Sequence, residues 1–167
     1  ERAYYDLIRQ FRDREVRKEY CALVWGSMRG RGDLDVPIGR HPRRRTVMSV
    51  RTTGQGRPAQ TGWEVMDAND LFSFVRLRPR TGRTHQIRVH LSYLKHPIVG
   101  DPAYGAREAR GLLRRLDPAH PVHRVERPLL HARRLSFRHP AGQEMTFEAP
   151  LQEDFARILS ALGLKAS

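Results

Sequence analysis

Arg80-Thr81-Gly82-Arg83-Thr84-His85-Gln86-Ile87-Arg88-Val89-His90-Leu91 leads within a few residues into Lys95-His96-Pro97-Ile98-Val99-Gly100-Asp101-Pro102-Ala103-Tyr104-Gly105. Thr81-Gly82 breaks the strand pattern before it, and Thr84 has the side chain of a helix N-cap. Ile87, Leu91 and Leu94 then recur at i, i+4 and i+7, which predicts a helix with one apolar face. Arg88 lies about 100° of helical turn from Ile87. Its guanidinium therefore sits at the edge of the buried stripe, where a charge is costly unless a carboxylate or phosphate meets it.

Working outward, the segment before the helix alternates. Leu71–Arg78 sets Val75 and Leu77 against Arg76 and Arg78, and Ala59–Met66 places Thr61, Trp63 and Val65 on one face. With a turn at Asp67–Asp70 the two form an antiparallel pair. Thr46–Arg51 is a further strand, followed by a glycine-rich loop, Thr52–Pro58. Residues 27–45 are punctuated by Gly30, Gly32, Pro37, Gly39 and Pro42 and read as an excursion with a short strand at Leu34–Ile38. The Arg43–Arg45 triplet in it is equally a solvated face or an RNA-facing loop. Upstream, Arg17–Gly26 is a strand closed by glycine. Residues 2–14 place Tyr4, Leu7, Ile8 and Phe11 at helical spacing, with Arg2, Asp6, Arg9, Arg12 and Asp13 on the polar side. Downstream come a loop at Pro97–Gly105, a short helix at Ala106–Leu116 and a proline-rich loop at Asp117–Pro128. Leu129–Arg138 and Glu144–Glu148 form a hairpin with Leu135, Phe137, Met145 and Phe147 as its apolar face, and Leu151–Leu162 is a closing helix. Strands and helices mixed without strict βαβ alternation predict an α+β fold with a mainly antiparallel sheet and flanking helices.

The chain has 167 residues, the length of a single domain spanning 1–167 and enough for a core. Its net charge is +13, and only Lys18, Lys95 and Lys165 among its 31 basic residues are lysine. Such a chain suits a polyanion, and arginine suits bidentate phosphate contacts and stacking on bases. The single cysteine, Cys21, excludes an internal disulfide and a cysteine-rich zinc site, and its neighbours make it a buried strand thiol. His85 and His90 are five apart and face different sides of a helix, whereas paired helical zinc ligands recur at i, i+4. No Cys, Asp or Glu within Arg80–Leu91 completes a set, so the residues predict no metal. No run approaches the roughly 18 apolar residues of a membrane span.

The motif resembles that of the RluA-type RNA pseudouridine synthases, whose signature reads much like TGRTHQIRVHL followed by HPIVGDxxYG. A match this long is far more specific than a lone short motif. Lys18-Glu19-Tyr20-Cys21-Ala22-Leu23-Val24-Trp25-Gly26 resembles the family's KxYxAxVxG strand, and Leu129-Leu130-His131-Ala132 its LLHA segment. His139–Pro150 resembles its HPxxGxxMxFxAP ending, one residue shorter between Pro140 and Gly142. The resemblance implies a pseudouridine-synthase-like catalytic domain that isomerises uridine in ribosomal or transfer RNA without cofactor or metal. It implies that Tyr20 stacks on the flipped uracil and assists proton removal at carbon 5. Arg88 matches the arginine that pairs with the catalytic aspartate, and Leu130 a leucine of the pocket floor, although a plain core leucine fits it nearly as well. Arg83, His85 and Gln86 are expected as RNA-backbone or pocket-scaffold groups.

The family's HRLDxxTSG motif, which carries that aspartate, is absent. The chain is expected to be the C-terminal portion of the catalytic domain, starting just after it, with the partner of Arg88 upstream of Glu1. Arg114-Arg115-Leu116-Asp117 imitates HRLD but follows the central motif and runs into Pro118-Ala119-His120, so Asp117 is read as a helix-end residue. Two readings remain: most of the catalytic domain of a pseudouridine synthase, inactive alone, or a non-catalytic RNA-binding fragment or homologue. Either is expected to be a monomer of the cytoplasm, with an organellar address left open because Glu1 stands first.

Overall fold

The computed structural model describes residues 2–44 and 46–166. Glu1, and Arg45 of the arginine triplet, lie outside them. The chain order is α1 (Arg2–Arg12), β1 (Arg17–Trp25), β2 (Arg31–Asp35), β3 (Ile38–Arg40), β4 (Met48–Val50), β5 (Gln60–Ala68), β6 (Phe72–Pro79), α2 (Gln86–Tyr93), α3 (Ala106–Leu113), a 3-10 helix (Pro121–Arg124), β7 (Leu130–Arg138), β8 (Glu144–Glu148) and α4 (Glu153–Ala161). Six strands form one sheet in the order β2-β5-β6-β1-β7-β8, and β3 pairs with β4 in a small second sheet. All these pairings are antiparallel. The fold is α+β, as the mixed pattern of the sequence implies.

Strand β1 lies between β6 and β7 and is covered on both faces, so its alternating side chains feed two separate cores. Cys21, Leu23 and Trp25 join Phe72, Phe74, Phe155 and Leu159 on the α4 side. Ala22 and Val24 join Val75, Leu77, Ile87 and Leu91 on the α2 side. Tyr20, two residues before Ala22, packs against the α2 cluster at its margin. The register sets Tyr20 opposite Leu77 on one flank and Ala132 on the other, with an irregularity between Glu19 and Tyr20. Cys21 is buried, and desolvation raises its thiol to a pKa of about 11.

Four expectations need correction. The single strand expected at Leu34–Ile38 is two, β2 and β3. Pro37 lies between them and has no N–H to donate to a ladder, so the chain leaves the main sheet there and enters the small one. The helix after Thr84 is not capped by that threonine: His85 is the cap residue, in the left-handed conformation at φ 55°, and its side chain makes no capping bond. The apolar face of the β7–β8 hairpin stays half outside, with Phe137 and Phe147 stacked at 5.9 Å and Phe147 exposed.

The fourth correction concerns α1, which docks by its polar edge. Gln10 is fully buried, and its amide donates to the Arg138 carbonyl at 2.6 Å and accepts from the Arg138 N–H at 2.9 Å. Asp6 accepts a further bond from the same amide at 2.8 Å. Tyr4, Ile8 and Phe11, expected to face inward, are exposed, as is Tyr5. The bidentate amide bond satisfies the backbone of β7 where its pairing with β1 ends, and this fixes which side of the helix turns inward.

Candidate active site

The site is built where α2 begins. Left-handed backbone at a residue other than glycine is uncommon and costs of order 1–3 kcal/mol, and His85 holds it at the mouth of a cavity. The cavity measures about 260 Å³. Tyr20, Arg83, His85, Gln86, Arg88 and Leu130 all line it, together with Lys18 and Ile87. The residues selected from three separated stretches of sequence therefore meet at one place. Tyr20 comes from β1, Leu130 from β7, Arg83 and His85 from the turn, and Gln86 and Arg88 from α2.

Gln86 is spent inside the protein. Its carbonyl oxygen accepts from the Thr81 hydroxyl at 2.7 Å and the Arg83 N–H at 3.0 Å. Its NH₂ donates to the Gln60 carbonyl at 2.9 Å and to Thr61 Oγ1 at 3.0 Å. Of the two roles open to it from the sequence, the geometry fits the scaffold. The Thr61 hydroxyl lies 2.8 Å from His90 Nδ1, and His90 Nε2 lies 3.1 Å from the Val36 carbonyl. A carbonyl only accepts, so Nε2 carries the proton, Nδ1 accepts from Thr61, and the imidazole is neutral. Burial lowers the His90 pKa below its usual 6.5 and favours that form. Both ring nitrogens are thereby occupied. Among the described residues no three His, Cys, Asp or Glu side chains come together as metal ligands.

Arg88 finds its carboxylate within the chain, against the expectation that the mate lies upstream of Glu1. Its Nε donates to Asp101 Oδ2 at 2.7 Å and its Nη2 to Asp101 Oδ1 at 2.8 Å. The Asp101 side chain is completely buried and that of Arg88 is 19% exposed. Asp101 Oδ1 also accepts from the Ala103 and Tyr104 N–H groups at 2.9 and 3.1 Å. A buried pair so fully hydrogen-bonded meets the conditions under which the desolvation cost is offset. Arg88 Nη1 makes no hydrogen bond among the described residues, which leaves one edge of the guanidinium for a ligand. The loop that carries Asp101 turns at Gly100 and Gly105, both at positive φ. A Cβ on Gly100 would lie 2.1 Å from the Arg127 carbonyl, and one on Gly105 2.0 Å from Pro97 Cβ, so neither position admits a side chain.

Tyr104 completes the cluster. Its ring lies 4.9 Å beneath the Arg88 guanidinium carbon. Its hydroxyl accepts from the Met48 N–H at 2.9 Å and lies 2.9 Å from His85 Nδ1. With that N–H already supplied, the hydroxyl proton is best used toward Nδ1, leaving His85 Nε2–H for a ligand. Desolvation, and then the Arg88 charge, lower the His85 pKa below 6.5, again favouring neutral imidazole. Asp101 and Tyr104 were missed as functional residues although both stand in the quoted HPIVGDxxYG run. The signal was available: a buried arginine needs an acid, and Asp101 is the nearest acid in sequence on that side. Asp117, in contrast, is exposed in the turn after α3, where its side chain accepts from the Ala119 N–H at 2.7 Å.

Tyr20 differs from its neighbours. It is half-buried, and its hydroxyl has no hydrogen-bond partner among the described residues. The cavity thus offers one aromatic face, one free phenol, a guanidinium edge and an imidazole N–H, framed by Ile87 and Leu130. That inventory suits a flat, polar-edged heterocycle such as a nucleobase. The site therefore lies at the start of α2 in an antiparallel α+β domain.

Comparison with known proteins agrees. A family model described as RNA pseudouridylate synthase matches residues 1–93, more than half of the chain. The chain belongs to the RNA pseudouridylate synthase family. It is 41% identical over 157 residues to ribosomal large subunit pseudouridine synthase D of Vibrio vulnificus, covering 93% of this chain and 48% of that protein. The protein of the same description from Nitrosomonas europaea is 42% identical over 163 residues, covering 96% of this chain and 45% of that protein. The chain thus spans about half the length of the curated relatives it matches. Among solved structures, human RNA pseudouridylate synthase domain containing 4 superposes with a TM-score of 0.74 at 27% identity, covering 96% of this chain and 67% of the other. Human RNA pseudouridylate synthase domain containing 1 gives 0.70 at 28%, covering 95% and 70%.

Proposed function

We propose that the protein to which these residues belong isomerises uridine to pseudouridine in RNA, with ribosomal RNA as the substrate class. The observation that carries this reading is the convergence of Tyr20, Arg88, Leu130 and His85 on one base-sized cavity. The names of the relatives support the ribosomal substrate. In the reaction the bond from C1′ to N1 breaks, a bond from C1′ to C5 forms, the C5 proton leaves and N1 gains a proton. The base must first be drawn out of the RNA stack, at a cost of a few kcal/mol. Tyr20 stacks on it, and its unpartnered hydroxyl takes part in removing the C5 proton. Arg88, clamped by Asp101, turns its free edge to the carboxylate nucleophile or to the base. Leu130 and Ile87 form the apolar floor.

A second reading, an RNA-binding homologue without turnover, has one observation in its favour: no Asp or Glu lines the cavity among the described residues. Product formation separates the two. The full-length protein should form pseudouridine in protein-free ribosomal RNA, detected by reverse-transcription mapping after chemical labelling, whereas this chain alone should form none. Tyr20→Phe keeps the ring and should slow turnover about 10²-fold or more while RNA affinity holds. Unchanged turnover in Tyr20→Phe would remove the tyrosine from the chemistry. Arg88→Ala is the weaker probe, because it strands the buried Asp101 charge and destabilises the fold by about 3–5 kcal/mol.

A further inference from the structure

Beside the Tyr20 cavity lies a second one of about 430 Å³, which shares Lys18, Thr81, Gly82 and Arg83 with it. Arg12, Arg14, Lys18, Arg80 and Arg83 all line this second cavity, and no Asp or Glu does among the described residues. Some of these cations have partners outside the cavity. Arg12 meets Asp13 at 2.9 Å, Arg80 meets Asp33 at 3.1 Å, and Arg83 Nε donates to the Pro58 carbonyl at 3.1 Å. Lys18 and the side chain of Arg14 have none among the described residues. Lys18 is also partly withdrawn from water, and that desolvation lowers its pKa below 10.5. Lys18 and Arg14 thus stand as two cations without an acidic partner among the described residues, in a cavity whose own lining carries no acid, although Glu19 and Glu144 line the adjoining cleft; a buried-edge ammonium so placed is a group that an anion would complete.

The other basic cleft on this surface behaves differently. Along β5 and β6, Arg76 and Arg78 meet Glu64 at 3.1 and 3.5 Å, so their charge is answered internally. Lys18 and Gly82 both line the two cavities, so the ammonium belongs to the wall they share.

We propose that Lys18, with Arg14, Arg80 and Arg83, forms a phosphate subsite that grips the RNA backbone beside the nucleotide delivered to the Tyr20 cavity. The proposal rests on the RNA reading above. A base held in one cavity places its backbone phosphates next door, and phosphate contacts of this kind set register without reading sequence.

The test measures affinity of the full chain for a short fluorescein-labelled RNA hairpin with loop uridines, across a potassium chloride series. Variants are Lys18→Ala, Lys18→Arg and, as a charge-matched control on the far helix α4, Arg157→Ala. Lys18→Ala should weaken binding and reduce the slope of log affinity against log salt by about 0.7. Lys18→Arg should keep the slope, and so should Arg157→Ala. An unchanged slope in Lys18→Ala, with the unsubstituted chain binding normally, overturns the subsite and leaves the RNA reading intact. An equal loss in Arg157→Ala reduces the effect to net charge and overturns it too. No RNA binding by the unsubstituted chain overturns both. Competing inorganic phosphate supplies the last arm: competition that depends on Lys18 while the RNA slope does not would assign the cavity to free phosphate.

Discussion

Helix α2 lays Ile87, Val89 and Leu91 against the protein interior, and its one charged edge is closed by Asp101. Helix α1 turns Tyr4, Ile8 and Phe11 to solvent and is held by the amide of Gln10. Both show apolar residues at helical spacing. The difference is what each meets on arrival. The stripe of α2 falls on the covered face of β1 and β6, where burial of a large aliphatic side chain contributes roughly 1.5–3 kcal/mol. The end of β7 instead presents α1 with an N–H and a carbonyl. Leaving such groups buried and unpaired costs about 1–3 kcal/mol each, and the Gln10 amide satisfies both, which ties that edge of the helix to β7. Amphipathic spacing thus reports that a face exists, and the partner decides which face is used.

Paired truncations give the largest expected contrast. Leu91→Ala should destabilise the chain by about 2–5 kcal/mol, because it opens a cavity in the α2 cluster. Ile8→Ala should stay within about 0.5 kcal/mol, as for most exposed positions. Chemical denaturation of both variants measures the two effects; equal losses would mean that α1 buries its stripe in solution. Next in size, Gln10→Ala should cost about 1–3 kcal/mol by baring the Arg138 N–H and carbonyl. A loss no greater than that of Ile8→Ala would deny the amide its docking role.

The smallest effect separates the helices by pH. Neutral His90 has a folded pKa below 6.5, so its stabilising contribution is complete above that value and is lost as pH falls through the folded pKa. Stability should decline below pH 6.5 by at most about 1.4 kcal/mol per unit. Asp6, which ties Gln10 on α1, is held below 3.8 by hydrogen bonds from Arg9 and Gln10, so its contribution survives to lower pH. Acidification from pH 7 to 5 should therefore loosen the α2 network, read by tryptophan fluorescence, and spare α1, read by backbone amide shifts of Arg138. Simultaneous loss would show that the two attachments are not independent.

Much of this was legible in the sequence, and the failures have physical causes. Alternation placed β5 and β6, where one face is more buried than the other, and a continuous apolar run closed by glycine placed β1, whose two faces are both covered. The cavity was legible through Tyr20, Arg88 and Leu130 because the resemblance covered three separated stretches. Asp101 was not assigned to Arg88 although it is the first acid after it in sequence; the aspartate implied by the resemblance was preferred, and the turn at Gly100 and Gly105 that brings Asp101 back to the helix is not itself periodic. The inversion of α1 was illegible because a glutamine that substitutes for a strand partner leaves no periodic trace. The left-handed backbone at His85 had only a weak local signal: no glycine marks the position, and histidine is merely one of the residue types enriched there.

The hydrogen bonds from Gln60 through Thr81, Gln86, Thr61 and His90 to Val36 all point one way. Each hydroxyl receives at one side and gives at the other, so the row has a polarity, like a line of dominoes that can lean in only one direction. Reversing one amide would set donor against donor at the next link. These positions are therefore interdependent: a replacement at one demands a matched replacement further along, and the turn that opens the Tyr20 cavity inherits its shape from a row of polar groups reaching back to the first excursion of the chain.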